Sequence, residues 1–299
     1  MTQSGLTTSG HKIWVYHLMA LTTCMVWALT FVSTKVLILA GLTPTAIFIL
    51  RFVIAYLAMM AVCHRQFRCS TIKDEGLMAL AGLTGGSIFY IAQNTALELT
   101  YASDVSLLIC TSPIFTMVLE RIFVGTRLGR RMIVGSVIAL FGVGLVVLNG
   151  SLTFGSGPVG DLITLCAAVL WALYCLILQR LSKRYATFVI TRKVFFYGVI
   201  TGLPIAWAMG LDIDFEVIRQ PEVLGNLLFL GVLASMLCYV LWNSALEKLG
   251  PVRTSFFIYL QPLVTIIASM LVLSEPLTIY VALGSILIIS GVVLAERQR

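Results

Sequence analysis

Charge is what this sequence has least of. Asp, Glu, Lys and Arg together make up 11% of its 299 residues, against about 25% in soluble domains. With 59% hydrophobic residues and a mean hydropathy of +1.00, the chain has too little polar surface to cover a water-facing globule. Other absences narrow the reading. The seven cysteines are an odd number and contain no CxxC pair, so neither a disulfide framework nor a zinc site is indicated. No Walker motif, metal-ligand spacing or hydrolase elbow occurs, so ATP-driven transport within this chain is unsupported. The histidines His11, His17 and His64 form no relay. No acidic residue falls at the middle of an apolar run, where a coupling carboxylate would be expected. The expectation is therefore no catalytic residue, no metal and no cofactor.

What is present is a series of long apolar runs. Leu37–Met60, broken by Arg51, and Val252–Leu273 are two of them. Each is near the roughly 20 residues that a membrane helix needs. The predicted fold class is an all-α integral membrane protein. Ten transmembrane helices fit, over 13–38, 45–63, 77–98, 102–124, 131–149, 160–181, 187–210, 223–247, 252–273 and 277–295. The first apolar run is longer than a signal h-region and is read as a retained helix. The net charge of +7 is read as basic cytoplasmic loops, not as a nucleic-acid surface. The expected partners are a lipid bilayer and a small-molecule solute, with no nucleic acid, and the chain is taken as a monomer.

Basic residues set the orientation. Lys12, Arg65, Arg68, Lys73, Arg121, Arg127, Arg130, Arg131, Arg180, Lys183, Arg184, Lys248, Arg253, Arg297 and Arg299 all fall on one side. The opposite loops hold only Arg219, with Lys35 at the end of the first span. The positive-inside rule then places both termini of a multi-pass membrane protein in the cytoplasm.

The chain is also written twice. Tyr90, Asn94, Ala96, Leu97, Glu98, Ser106 and Pro113 recur 149 residues later as Tyr239, Asn243, Ala245, Leu246, Glu247, Ser255 and Pro262. Gly82, Gly135 and Gly142 recur as Gly231, Gly284 and Gly291. Earlier in each half Trp27 pairs with Trp171, and Arg51 and Tyr56 share their spacing with Arg192 and Tyr197. The domains are a cytoplasmic tail (1–12), a first five-helix repeat (13–149), a periplasmic linker (150–159), a second repeat (160–295) and a second tail (296–299). Five spans per half is an odd number, so the repeats are inverted, which puts a substrate site near the midplane between them.

The candidate cavity residues follow from the repeat. Trp27, Trp171, Tyr90 and Tyr239 sit near the centres of their spans, although Trp and Tyr favour the membrane interfaces. Asn94 and Asn243 share a helix face with those tyrosines, and an amide in hydrocarbon needs a partner. Gln93 and Trp242 lie beside them, while Ser112, Tyr259 and Gln261 are near the two prolines. Pro113 and Pro262 each remove a backbone donor and are expected to kink or gate their helices. Lys35 and Arg51 are the intramembrane charges. Lys35 is expected to snorkel to the interface, and Arg51 to pair with backbone carbonyls or Glu98, with binding of an anionic substrate as the alternative.

Ten spans as five plus five, Trp27 followed by Lys35, Arg51 in the second span, Ala96–Glu98, Pro113 and the Ser-Glu-Pro-Leu-Thr run at Ser274–Thr278 together resemble the EamA-like permeases of the drug/metabolite transporter superfamily. The resemblance covers about 13–295. Val124–Gly129 departs from it, standing where the family usually has a Glu-containing turn. The resemblance implies alternating-access transport of small metabolites, commonly export of amino acids, across a bacterial inner membrane, through a cavity formed by spans 1, 3, 4, 6, 8 and 9. The alternatives are a small-drug or organic-cation efflux pump, and a membrane enzyme or receptor on the same scaffold.

Overall fold

The computed structural model describes residues 10–63, 69–125, 129–148 and 158–296. His64, Arg65, Arg68, Arg127, Arg297 and Arg299, most of the first tail and most of the 150–159 linker lie outside the described residues.

The described chain is all-helical. Eight helices are long and apolar enough to cross a bilayer: α1 (Ile13–Leu39), α2 (Pro44–Val62), α3 (Ile72–Leu99), α4 (Ala102–Val124), α6 (Pro158–Leu181), α7 (Thr187–Ala208), α8 (Pro221–Leu249) and α9 (Pro251–Val272). Two more apolar helices, α5 (Arg130–Leu148) and α10 (Ile279–Glu296), complete the ten. A single turn, Phe215–Ile218, sits between α7 and α8. The chain is thus a ten-helix membrane protein.

Local chemistry sets several boundaries. The Thr43 hydroxyl accepts from the Ala46 N–H at 3.2 Å, with Pro44 as the first residue of α2, a cap followed by the one residue that needs none. The Thr71 hydroxyl accepts from the Asp74 N–H at 3.1 Å, so α3 starts at Ile72, ahead of the expected 77. Asp74 and Glu75 therefore belong to a helix first turn, where acidic groups suit the dipole. α8 ends at Gly250, whose φ of +85° favours glycine.

The two halves are related by an inverted pseudo-two-fold, and two glycine contacts demonstrate it. A Cβ on Gly142 in α5 would stand 2.6 Å from the Gly284 carbonyl oxygen in α10. One on Gly291 in α10 would stand 2.5 Å from the Gly135 carbonyl oxygen in α5. The 149-residue offset turns each contact into the other, the reciprocal pattern of a two-fold interface. Rising numbers in α5 meet falling numbers in α10, so the helices are antiparallel and the halves are inverted. The halves interlock as well: α1 packs on α8, and α6 packs on α3. First helix on third helix, across the repeat, leaves the space between halves lined by both.

Candidate functional site

That space is a cavity of about 30 Å³ between the halves, room for one or two waters. α1 contributes Trp27, Thr30 and Phe31, and α3 contributes Phe89, Tyr90 and Gln93. Ile109 of α4, Trp171 of α6, and Ile258 and Gln261 of α9 close it. No charged side chain lines it. Its walls are rings in edge and tilted contact. Trp27 meets Trp171 edge-on at 5.2 Å, and Phe89 lies 5.0 Å from Trp171. Such pairs add about 0.5–1.5 kcal/mol beyond area burial. The Trp171 indole N–H is buried with no hydrogen-bond partner, a donor left over at the cavity wall.

Two π-helical segments hold the rings in place. They span Leu83–Ser87 in α3 and Phe229–Leu237 in α8, and the repeat offset superposes the first on the second. A π-turn displaces backbone carbonyls from their usual i+4 partners. The Trp27 indole N–H donates to the Ala234 carbonyl at 2.8 Å, and the Tyr239 hydroxyl donates to the Gly85 carbonyl at 2.5 Å. Gly85 and Ala234 are repeat equivalents. Each half thus offers one π-segment carbonyl to an aromatic donor of the other half.

Of the seven residues expected around a cavity, Trp27, Tyr90 and Trp171 line it, and four stand in the surrounding packing. Tyr239 is spent on Gly85. Trp242 packs on Trp27 and Trp171 at 5.1 and 5.9 Å. Asn94 donates to the Pro44 carbonyl at 3.0 Å. Asn243 accepts from the Tyr174 hydroxyl and donates to the Thr191 hydroxyl, both at 2.9 Å. The asparagines are equivalent even here, because Thr191 itself bonds the carbonyl of Thr187, the first residue of α7 as Pro44 is of α2. Thr30, Phe31 and Phe89 were missed by the sequence reading. Thr30 and Phe31 follow Trp27 at helical spacing, which could have found them.

Pro113 and Pro262 stand at comparable breaks. α4 is interrupted at Cys110–Thr111, with Pro113 in the first turn that follows. α9 passes through a 3-10 segment, Phe256–Leu260, before Pro262. Each break is a local tightening to i+3 bonding ahead of the proline. Examples are Cys110 N–H to Leu107 and Thr111 N–H to Leu108.

The charges depart from the simplest expectations. Lys35 does not just reach for the interface. Its ammonium donates to the Leu97 and Thr100 carbonyls at 2.5 and 3.0 Å, closing the C-terminus of α3. Arg51 is 1% exposed and bonds side chains, not Glu98: Nε donates to the Ser235 hydroxyl at 2.5 Å and Nη2 to the Tyr90 hydroxyl at 3.3 Å. Arg192, matched to Arg51 by spacing, donates to the Cys63 carbonyl at 2.9 Å. Counting from the helix starts, Pro44 and Thr187, puts Arg51 against Val194 instead. Glu75, which lies ahead of the span expected from 77, receives the Lys193 ammonium and the Tyr197 hydroxyl. Beside it, burial pushes the Cys69 thiol up to about 11, so it stays protonated at neutral pH. Among the described residues no group of three His, Cys, Asp or Glu could hold a metal ion.

Comparison with known proteins agrees with this architecture. A family model described as EamA-like transporter family matches the chain twice, over residues 14–148 and 158–296. An uncharacterized transporter of Archaeoglobus fulgidus is 30% identical over 95% of this chain and 98% of its own length. A probable terminal-alkyne amino-acid exporter of Streptantibioticus cattleyicolor is 26% identical, over 92% of this chain and 91% of its own. A probable amino-acid metabolite efflux pump of Escherichia coli is also 26% identical, over 91% and 92%. One crystal structure superposes with a TM-score of 0.66 at 19% identity, covering 96% of this chain and 97% of that chain, a likeness of fold.

Proposed function

Because the chain belongs to the EamA-like transporter family, we propose that this membrane transporter is a secondary or facilitated carrier that exports a small amphipathic solute, an amino acid or a close relative. It works by alternating access around the cavity between the halves. The observation that carries this reading is the cavity itself: a ring-walled space at the repeat interface, with the amides of Gln93 and Gln261 and the spare Trp171 N–H as its polar groups. Rings suit an apolar side chain, and amides suit a polar backbone. At about 30 Å³ it is closed around no solute-sized volume, so transport requires the halves to move apart at one end and then at the other. The breaks before Pro113 and Pro262 are the hinges assigned to that motion. Trp27, Tyr90 and Trp171 contact the solute, and Asn94, Tyr239, Trp242 and Asn243 hold the walls.

The relatives named as an amino-acid exporter and an amino-acid metabolite efflux pump support the solute class. Both termini are placed in the cytoplasm of a bacterial inner membrane, since Lys and Arg gather on that side. Each chain works as a monomer. The organic-cation alternative is disfavoured because no carboxylate lines the cavity.

The test is counterflow in proteoliposomes with a panel of amino acids, nucleobases, sugars and organic cations. Amino acids are expected to exchange. A preference for the organic cations would overturn the solute class, and movement of nothing in the panel would remove the transport reading's support.

A further inference from the structure

We infer that Arg51, acting through Tyr90, makes the cavity select solutes that carry a carboxylate, an inference that rests on the transport reading above. Arg51 is 1% exposed, and among the described residues no carboxylate stands within ion-pair distance of it. Nε is satisfied by Ser235 and Nη2 by Tyr90, while Nη1 is buried with no partner. The guanidinium carbon lies 4.3 Å from the centre of the Tyr90 ring. A buried positive charge with no counter-ion is costly, and a ring face with two hydroxyls offsets only part of that cost.

Tyr90 connects this charge to the cavity, because it both touches Arg51 and lines the space. Arg51 donates to the phenol oxygen. The phenol keeps its own proton for another acceptor and donates more strongly for being polarised. An anionic oxygen in the cavity is the acceptor this field favours most, and a cation at the same place is repelled. The solute carboxylate therefore sits at Tyr90, with its remaining groups against Gln93, Gln261 and the rings.

The second half has no such feature. The helix starts, Pro44 and Thr187, bring the apolar Val194 to the place of Arg51, while Phe195 stands for Phe52, and each ring packs on its own half's tyrosine, at 5.2 and 5.1 Å. Tyr239 moreover donates its proton to Gly85. Of the two equivalent tyrosines, Tyr90 accepts from Arg51 and lines the cavity, whereas Tyr239 stands outside the lining and donates to Gly85. The site reads its solute in one orientation.

Arg51 is a positioning residue, so the test must read discrimination, not turnover alone. Phenylalanine, leucine and threonine are each compared with their carboxamides in counterflow, and in detergent by quenching of tryptophan fluorescence. The wild type is expected to prefer each acid by about tenfold or more, the scale of one hydrogen bond to a charged group. Tyr90→Phe keeps the ring and is expected to bring that ratio close to one by weakening the acids alone. Arg51→Gln should do the same, and Arg51→Lys should retain part of the preference. The inference is overturned if the wild type handles amides as well as acids, or if Tyr90→Phe weakens both equally. If organic cations or sugars move while no amino acid either moves or quenches, the solute class fails and this inference with it. If amino acids move without discrimination by Tyr90, only this inference fails.

Discussion

The turn between α3 and α4 and the turn between α8 and α9 are repeat equivalents at opposite ends of the bundle, yet they are held by different chemistry. At the first, Lys35 closes the last carbonyls of α3. Glu275 closes the first amides of α4, accepting from Ala102 N at 2.8 Å, Ser103 N at 3.2 Å and the Ser103 hydroxyl at 2.8 Å. A cation at a helix C-terminus and an anion at an N-terminus both oppose the local dipole charge, and both bonds are charge-assisted. At the second turn, the position of Lys35 falls on Gln179, while that of Glu275 falls on Thr126, outside the described residues. α8 ends there on Gly250 instead, and α9 begins on Pro251, which has no N–H to cap.

The start of α3 and the start of α8 differ in the same direction. α3 begins on ion pairs: Asp74 with Arg184, and Glu75 with Lys193. The equivalent start of α8 sits on an apolar cluster built from Leu37, Leu42, Ile47, Val223, Leu227 and Leu230. In both comparisons the α3 end is held by charged side chains, and its α8 equivalent by glycine, proline or apolar packing beside an exposed Lys248–Glu247 pair. Duplication fixed where the clamps must be, and each copy then satisfied its helix ends with whatever side chains it had.

The largest expected effect comes from Glu275→Ala. It strands two buried amides and the Ser103 hydroxyl, and should cost about 2–4 kcal/mol, since buried groups lose their full desolvation penalty. Gln179→Ala, at the equivalent of Lys35 on the other turn, should cost under about 0.5 kcal/mol. Thermal unfolding in detergent compares them, and similar losses would break the contrast. Lys193→Met tests the charged start of α3. Glu75 keeps Tyr197 and the Cys69 N–H, so the loss should be smaller, about 1–3 kcal/mol.

The third test addresses the symmetry itself. Gly142→Ala and Gly291→Ala each drive a methyl group into the facing backbone, and each should cost about 1–2 kcal/mol. Gly144→Ala has nothing within 4 Å to meet and should be neutral or slightly stabilising, as Ala favours helix. Unequal losses at Gly142 and Gly291 would mean that the α5–α10 contact is less symmetric than its glycines.

The inversion was legible in the sequence because an odd number of spans per repeat leaves no other solution. Gly82, Gly135 and Gly142, with their equivalents, marked close contacts by type alone. The cavity wall was only partly legible. Tyr90 and Asn94 lie one turn apart, but Phe89 and Gln93 show that the cavity faces the other flank of Tyr90, leaving Asn94 to α2. The π-segments left no trace, because an extra residue in a turn does not disturb a run that is apolar on every side. The shared spacing to a tyrosine pairs Arg51 with Arg192, whereas helix starts, which carry the capping chemistry, set the true register. Glu75 was hidden by its position, since a carboxylate next to a basic loop reads as solvated until Thr71 starts the helix ahead of it.

Arg184→Ala should have the smallest effect, although it breaks a bond in the same charged clamp as Lys193. The Arg184 side chain is 64% exposed and its Asp74 partner 7%. An exposed guanidinium keeps most of its hydration and is screened by salt, so such pairs contribute about 0.2–1 kcal/mol. Asp74 also retains its second contact, accepting from the Tyr185 hydroxyl at 2.9 Å. Arg184→Ala should therefore lower stability by less than about 1 kcal/mol, shrinking further as salt is raised. Tyr185→Phe should cost more, because the same hydroxyl accepts from the Ser70 N–H at 2.9 Å and its removal frees two partners at once. If Arg184→Ala proved the more damaging of the two, the α3 start would be held by long-range charge and not by the buried phenol. The ion pairs would then have to be counted as the clamp in their own right.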